Sequence, residues 1–150
     1  MAINEITIDA TPEEVFDVLR DPSAYPRWVV GAKEARGADD GFPRPGTRLH
    51  HTVGIGPLTL KDHTEVLEYR PDDRIVLKAK TRPLGTAKVT IEAHPVGNGR
   101  TRIVMNERAG DPISRALYNP VIDVLMKGRN TEALRRLAAL VQERRTSRAR

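Results

Sequence analysis

The spacing of turn signals between Gly31 and Ala109 constrains this chain more than any other feature. Asp39-Asp40-Gly41, Pro43-Arg44-Pro45-Gly46, Gly54-Ile55-Gly56-Pro57, Pro71-Asp72-Asp73, Pro83-Leu84-Gly85 and Gly97-Asn98-Gly99 divide that stretch. Glycine and proline at such density interrupt regular elements, because one supplies unusual backbone angles and the other removes a donor. The pieces left between them, 32–38, 47–54, 58–69, 74–82, 86–95 and 100–109, have strand length. Six strands joined by short turns predict an antiparallel meander. Ile6 and Ile8, alternating with polar residues, add a seventh strand at the N-terminus.

The remaining chain reads as helix. Thr11-Pro12-Glu13-Glu14 carries a cap, a proline suited to the first helical position and a carboxylate three residues after the cap. Val15, Phe16, Val18 and Leu19 supply the apolar face, and Asp21-Pro22 ends that helix and starts another, very short one through Tyr25-Pro26-Arg27-Trp28. Asp111-Pro112 repeats the start signal before a helical run to Arg144. Tyr118-Asn119-Pro120 interrupts this run, predicting a kink or a short separate helix ending near Tyr118. Beyond it, Val121, Leu125 and Gly128 form one seam, and Met126, Ala133, Leu137 and Leu140 an adjacent one.

At 150 residues the chain fits one domain large enough to bury a core without covalent staples. The absence of cysteine excludes disulfides and thiolate chemistry. The N-terminal residues show no signal-peptide pattern, and no apolar run approaches the ~20 residues of a bilayer span, so a cytoplasmic protein without membrane insertion is expected. Of the formal charge of +5, the last eight residues carry +3, leaving +2 for the rest. The expected organisation is therefore a domain over 1–143 and a basic, flexible tail over 144–150. No aromatic residues interleave with the tail arginines, which argues against nucleic acid as a partner.

Strand parity adds a prediction about the interior. In 74–82, Ile75, Leu77, Ala79 and Thr81 share a face opposite Lys78, Lys80 and Arg82; in 86–95, Ala87, Val89, Ile91 and Ala93 share one. Ile103, Met105 and Glu107 share a face of the last strand. The inward set is short of bulk for a sheet bent round one helix. Space between sheet and helix is expected, and a hollow of this kind usually serves a ligand because large voids are costly to keep.

The order of strand, two short helices, six-stranded meander and long C-terminal helix resembles the α+β helix-grip fold of the Bet v 1/START-like (SRPBCC) superfamily. More narrowly, the chain is similar to the bacterial polyketide cyclase/dehydrase and lipid transport group. Ile8-Asp9-Ala10-Thr11-Pro12-Glu13-Glu14-Val15-Phe16-Asp17-Val18-Leu19, Asp21-Pro22, Tyr25-Pro26-Arg27-Trp28, Glu65-Val66-Leu67-Glu68-Tyr69-Arg70-Pro71 and Gly99-Arg100-Thr101-Arg102 carry the resemblance. It implies a cavity for apolar or aromatic molecules such as polyketides, lipids or quinones. It transfers no catalytic motif, because the group has no universal one.

Glu107 and His51 are the candidate proton-transfer residues. An inward Glu107 would be desolvated toward a higher pKa; the alternative is that it sits at the strand's end and reaches solvent or pairs with a nearby arginine. His51 shares parity with Leu49 and Val53 and so points inward, away from His50. Candidate ligand contacts are Tyr25, Trp28, His51, Leu77, Ala79, Val89, Ile91, Met105, Glu107, Tyr118, Leu125 and Met126, with Asn130 and Asp123 placed on the helix facing either cavity or solvent. No cofactor is expected. The four histidines lack ligand spacing for a metal, and Gly54-Ile55-Gly56 lacks the third glycine and following helix of a phosphate loop. The resulting expectation is a monomer or homodimer holding a hydrophobic small molecule. A cyclase or dehydratase is the first alternative, and an interaction module using the outer sheet face or the basic tail the second.

Overall fold

The computed structural model describes residues 2–55, 57–80, 85–117 and 119–149. The turn residues Gly56, Pro83 and Leu84, the strand positions Thr81 and Arg82, and Tyr118 lie outside the described residues. The chain runs β1 (Ala2–Ile8), α1 (Pro12–Leu19), a 3-10 turn (Pro22–Ala24), α2 (Tyr25–Trp28), β2 (Ala32–Ala38), β3 (Arg48–Ile55), β4 (Leu58–Arg70), β5 (Arg74–Lys80), β6 (Thr86–Gly97), β7 (Arg100–Ala109), α3 (Pro112–Leu117) and α4 (Pro120–Arg148). The seven strands form one antiparallel sheet in the order β1-β7-β6-β5-β4-β3-β2. The meander thus returns its last strand to the side of its first, and the sheet curves around α4. This is the α+β helix-grip fold.

Local chemistry explains the helix boundaries. The Thr11 backbone N–H donates to Glu14 Oε1 at 3.1 Å, while the Glu14 N–H donates to Thr11 Oγ1 at 3.3 Å, completing a reciprocal capping box. Asp21 caps the 3-10 turn by accepting from the Ser23 N–H at 3.0 Å. Asn119 Oδ1 accepts from the Val121 and Ile122 N–H groups at 3.0 and 3.1 Å, so the expected interruption becomes a clean break between α3 and α4.

Phe16, Ile8, Leu49, Ile75, Ile91, Ile103, Leu134 and Leu137 are the bulkiest of the fully buried side chains, and Trp28 and Tyr25 join the same core. The C-terminal half of α4 fills the grip with Ala133, Leu134, Leu137, Leu140 and Val141. It is tied down by Gln142 Nε2 donating to the Asp9 carbonyl at 2.8 Å. The N-terminal turns differ from the expected seam. Val121 and Leu125 are 68% and 66% exposed, as is Val124 at 68%. A 3.6-residue period identifies a stripe without saying whether anything covers it, and here α4 packs on β1, α1 and α2 only further along.

The helix also continues past the expected boundary at residue 144. Arg144 pairs with Asp21, Arg145 with Glu14 at 2.9 Å and Arg148 with Asp17 at 3.0 Å. Burial alone would raise these three carboxyls. Bonds from Thr11 to Glu14, from Arg20 and Arg148 to Asp17, and from Ser23 and Arg144 to Asp21 hold them below their ordinary values. Composition showed the positive charge of this segment, and only folding brings the acidic face of α1 beside it.

Candidate functional site

A cavity of about 750 Å³ opens between the sheet and α4. The junction of α2 and β2 contributes Tyr25, Trp28, Val29, Val30, Gly31 and Ala32, and the β3–β4 hairpin His51, Val53, Gly54, Leu58, Thr59 and Leu60. Strands β5 to β7 contribute Leu77, Ala79, Lys80, Val89, Met105 and Glu107, and α4 contributes Arg129, Asn130 and Ala133.

The register explains why space remains. Successive inward rungs across β5, β6 and β7 read Ile75, Ile91, Met105; then Leu77, Val89, Glu107; then Ala79, Ala87, Ala109. Side-chain bulk falls along the strands from an isoleucine pair to three alanines. At the first rung the interior closes almost completely, leaving a void of about 10 Å³ bordered by Leu49, Ile75, Leu77 and Ile91. Of the alanine rung, Ala79 borders the larger cavity. Packing defects of this size in an apolar interior are destabilising unless filled.

Polar groups converge on one wall. His51 is 2% exposed and lies face to face with Tyr25, ring centroids 5.2 Å apart. The Trp28 ring meets Tyr25 edge-on at 5.7 Å. The Tyr25 hydroxyl and Thr64 Oγ1 are 3.0 Å apart, and Thr64 Oγ1 lies 2.9 Å from His51 Nε2, forming a buried chain of three groups. Burial pushes the His51 imidazole from its ordinary 6.5 down to about 4; Asp62 opposes this, while Arg36 reinforces it. Burial also raises the Tyr25 phenol. Both groups are uncharged at neutral pH.

Opposite stands an ion pair. Glu107, 3% exposed, has Oε1 2.5 Å from an Arg129 guanidinium nitrogen and accepts from Asn130 Nδ2 at 3.0 Å. The carboxylate is inward, as β7 parity predicts, and it also has the arginine partner that was expected for a strand-end position. Tyr25, Trp28, His51, Leu77, Ala79, Val89, Met105 and Glu107 all border the cavity. Ile91 sits instead at the small void, Leu125 is exposed, and Met126 is half-buried away from the cavity wall. Tyr118 lies outside the described residues. Thr64 and Arg129 were not singled out from sequence. Parity on β4 could have found Thr64, which stands two residues before the inward Val66. Nothing local distinguishes Arg129 from the other arginines of α4.

Residues 4–142 match the family model described as polyketide cyclase/dehydrase and lipid transport. The chain belongs to that family. Family membership is accompanied by low sequence identity to the relatives found. An uncharacterized protein of Mycobacterium bovis is 24% identical over 131 residues, covering 83% of this chain and 76% of its own. Among solved structures, a protein from Nitrosomonas europaea superposes with a TM-score of 0.72 at 17% identity, covering 95% of this chain and 94% of that one. A Streptomyces aromatase/cyclase gives 0.71 at 14% identity, covering 95% and 93%. At such identities the structural likeness establishes the fold alone. Among the described residues no helix is long and apolar enough to cross a membrane, and no cluster of three potential metal ligands occurs.

Proposed function

We propose that this family member binds an apolar or aromatic small molecule in the cavity between the sheet and α4. The observation that carries the reading is a hollow of about 750 Å³ between the sheet and α4, bordered on β5 and β6 by the modest side chains Leu77, Ala79 and Val89. Pockets for small ligands typically span ~300–1,000 Å³ with mostly apolar walls and a few fixed polar groups. Leu58 and Leu60, exposed at the mouth, extend the apolar surface outward. The purified chain is expected to retain a co-purifying apolar molecule by native mass spectrometry, or to bind one of a panel of naphthalene- and stilbene-type fluorescent probes at 1:1 stoichiometry. No retained mass and no saturable probe would overturn the reading.

A cyclase or dehydratase is the second reading, and the partnerless Nδ1 of a cavity-bordering His51 favours it. Glu107 is less suited to proton transfer, because Arg129 and Asn130 already occupy its Oε1. Under this reading, His51→Gln keeps ligand affinity within a few-fold and removes turnover of an offered polyketide-type substrate. Equal turnover by both proteins would refute it.

A further inference from the structure

The alternation that turns Ala79, Ala87 and Glu107 inward turns their neighbours outward, and there the register lines up like charges. Lys78 lies directly opposite Lys88, and Lys88 directly opposite Arg108. Lys78 and Arg108 are exposed, and Lys88 is half-buried. Glu65 stands beside Lys78 on β4, and Arg48 lies beyond it, its Nε 4.0 Å from the Glu65 carboxylate. The row from β3 to β7 thus holds four cations and one carboxylate, a net of +3. Like charges directly opposite on neighbouring strands are destabilising.

Two other dense groups of cations are neutralised within the chain. Farther along the same face Arg74 meets Glu68 and Glu92 at 3.2 and 3.3 Å, and Arg102 meets Glu5 at 3.7 Å. The arginines at the end of α4 are matched by Glu14, Asp17 and Asp21. Among the described residues, neither Lys78, Lys88 nor Arg108 has an ion-pair partner. The excess charge is felt nearby at His63, whose imidazole is held below its ordinary value first by burial and then by Lys80 and Arg48.

A row that repels itself in the free chain turns favourable against a matching set of anions. Strands lie ~4.8 Å apart, so the three cations span about 10 Å in a straight line. Carboxylates at i, i+4 and i+7 of an α-helix share one face, at steps of ~6.0 and ~4.5 Å along its axis. A helix laid across β5, β6 and β7 therefore sets one carboxylate against each cation. Nucleic acid and membrane fit this face less well. The flanking rungs are Val76, Thr90, Asn106 and Lys80, Thr86, with no aromatic ring for a base to stack on. Val76 is buried, so no apolar side chain of these rungs projects to enter a bilayer.

We infer that the outer face of β5, β6 and β7 docks an acidic helix of a partner protein, seated along the row Lys78, Lys88, Arg108. This surface lies on the other side of the sheet from the cavity, so the inference stands whether or not the cavity holds a ligand.

An amide chemical-shift titration of the full chain tests it. The probe is an alanine-based helical peptide with glutamates at i, i+4, i+7 and i+11, and its isomer carries the same glutamates spread round the helix. Shifts are expected to concentrate on 76–80, 86–90 and 106–109, and the one-face peptide to bind at least about threefold more tightly than the isomer. The Lys78→Ala/Lys88→Ala/Arg108→Ala variant should bind the one-face peptide about tenfold more weakly, with a urea midpoint no lower than that of the wild type. The comparison of isomers uses the wild type, so it decides the matter even if the variant fails to fold. Equal affinity for the two peptides, shifts centred elsewhere, or undiminished binding by the folded variant overturns the inference. Tighter binding of an oligothymidylate or of phosphatidylglycerol vesicles than of the one-face peptide overturns it as well.

Discussion

Burial keeps the His51 imidazole neutral down to a pH of about 4, whereas in the unfolded chain it takes up a proton near 6.5. Between those values the unfolded state binds more protons, so stability is full above pH 6.5 and declines as pH falls toward 4. The gap bounds that loss at about 3 kcal/mol. The depressed carboxyls of Glu14, Asp17 and Asp21 act in a separate window, losing their contribution only as pH falls below their ordinary values of 4.5 and 3.8. Urea midpoints at pH 7 and pH 4.5 should therefore differ more for the wild type than for His51→Phe; equal differences would contradict the assignment. Glu107 provides a second prediction at this scale. Arg129→Met leaves a buried carboxylate without its cation and should cost about 2–3 kcal/mol, most of it recovered in the Glu107→Met/Arg129→Met double variant, as read by denaturant titration. Strand parity made the inward positions of Glu107 and His51 legible in the sequence. Parity on β4 would have placed Thr64 inward as well, whereas Arg129 was not legible, because its role depends on the Glu107 carboxylate that the fold brings beside it.

The elements were legible almost throughout because turns, caps and alternation are local. The expected strand 32–38 coincides with β2 and the expected 100–109 with β7. Helix α4 marks the limit of such reasoning. Its apolar stripe begins at Val121, but buried side chains occur only from Asn130 onward. Local pattern reports amphipathicity, and burial is decided by how far the sheet extends beneath the helix. Leu137→Ala, at a fully buried position, should thus cost about 2–5 kcal/mol. Leu125→Ala should stay within about 0.5 kcal/mol. Comparable losses for the two variants in chemical denaturation would mean that the N-terminal turns of α4 are packed after all. The C-terminal turns show the converse. A segment read from charge as a flexible tail is helical to Arg148, where Glu14 and Asp17 of α1 and Asp21 at the start of the 3-10 turn supply counter-charges that lie more than a hundred residues away in sequence.

For the whole molecule, fold and cavity have one origin. The meander supplies a sheet that can bend around α4, and the rungs from Ile75–Ile91–Met105 to Ala79–Ala87–Ala109 make its interior taper from packed to open. The sequence revealed the small residues, and pairing them into rungs required the register. A ligand that fills the open end restores contacts the chain lacks, and at a concentration of 100 times Kd it should stabilise the folded state by about 2.7 kcal/mol. The most direct test is a titration with 1-anilinonaphthalene-8-sulfonate on the wild type and on Ala79→Phe, a substitution that fills the alanine end of the cavity. The wild type is expected to bind one probe saturably, and Ala79→Phe to bind it at least about tenfold more weakly while remaining folded. Equal binding by the two proteins, or no saturable binding by the wild type, would contradict a ligand site between the sheet and α4.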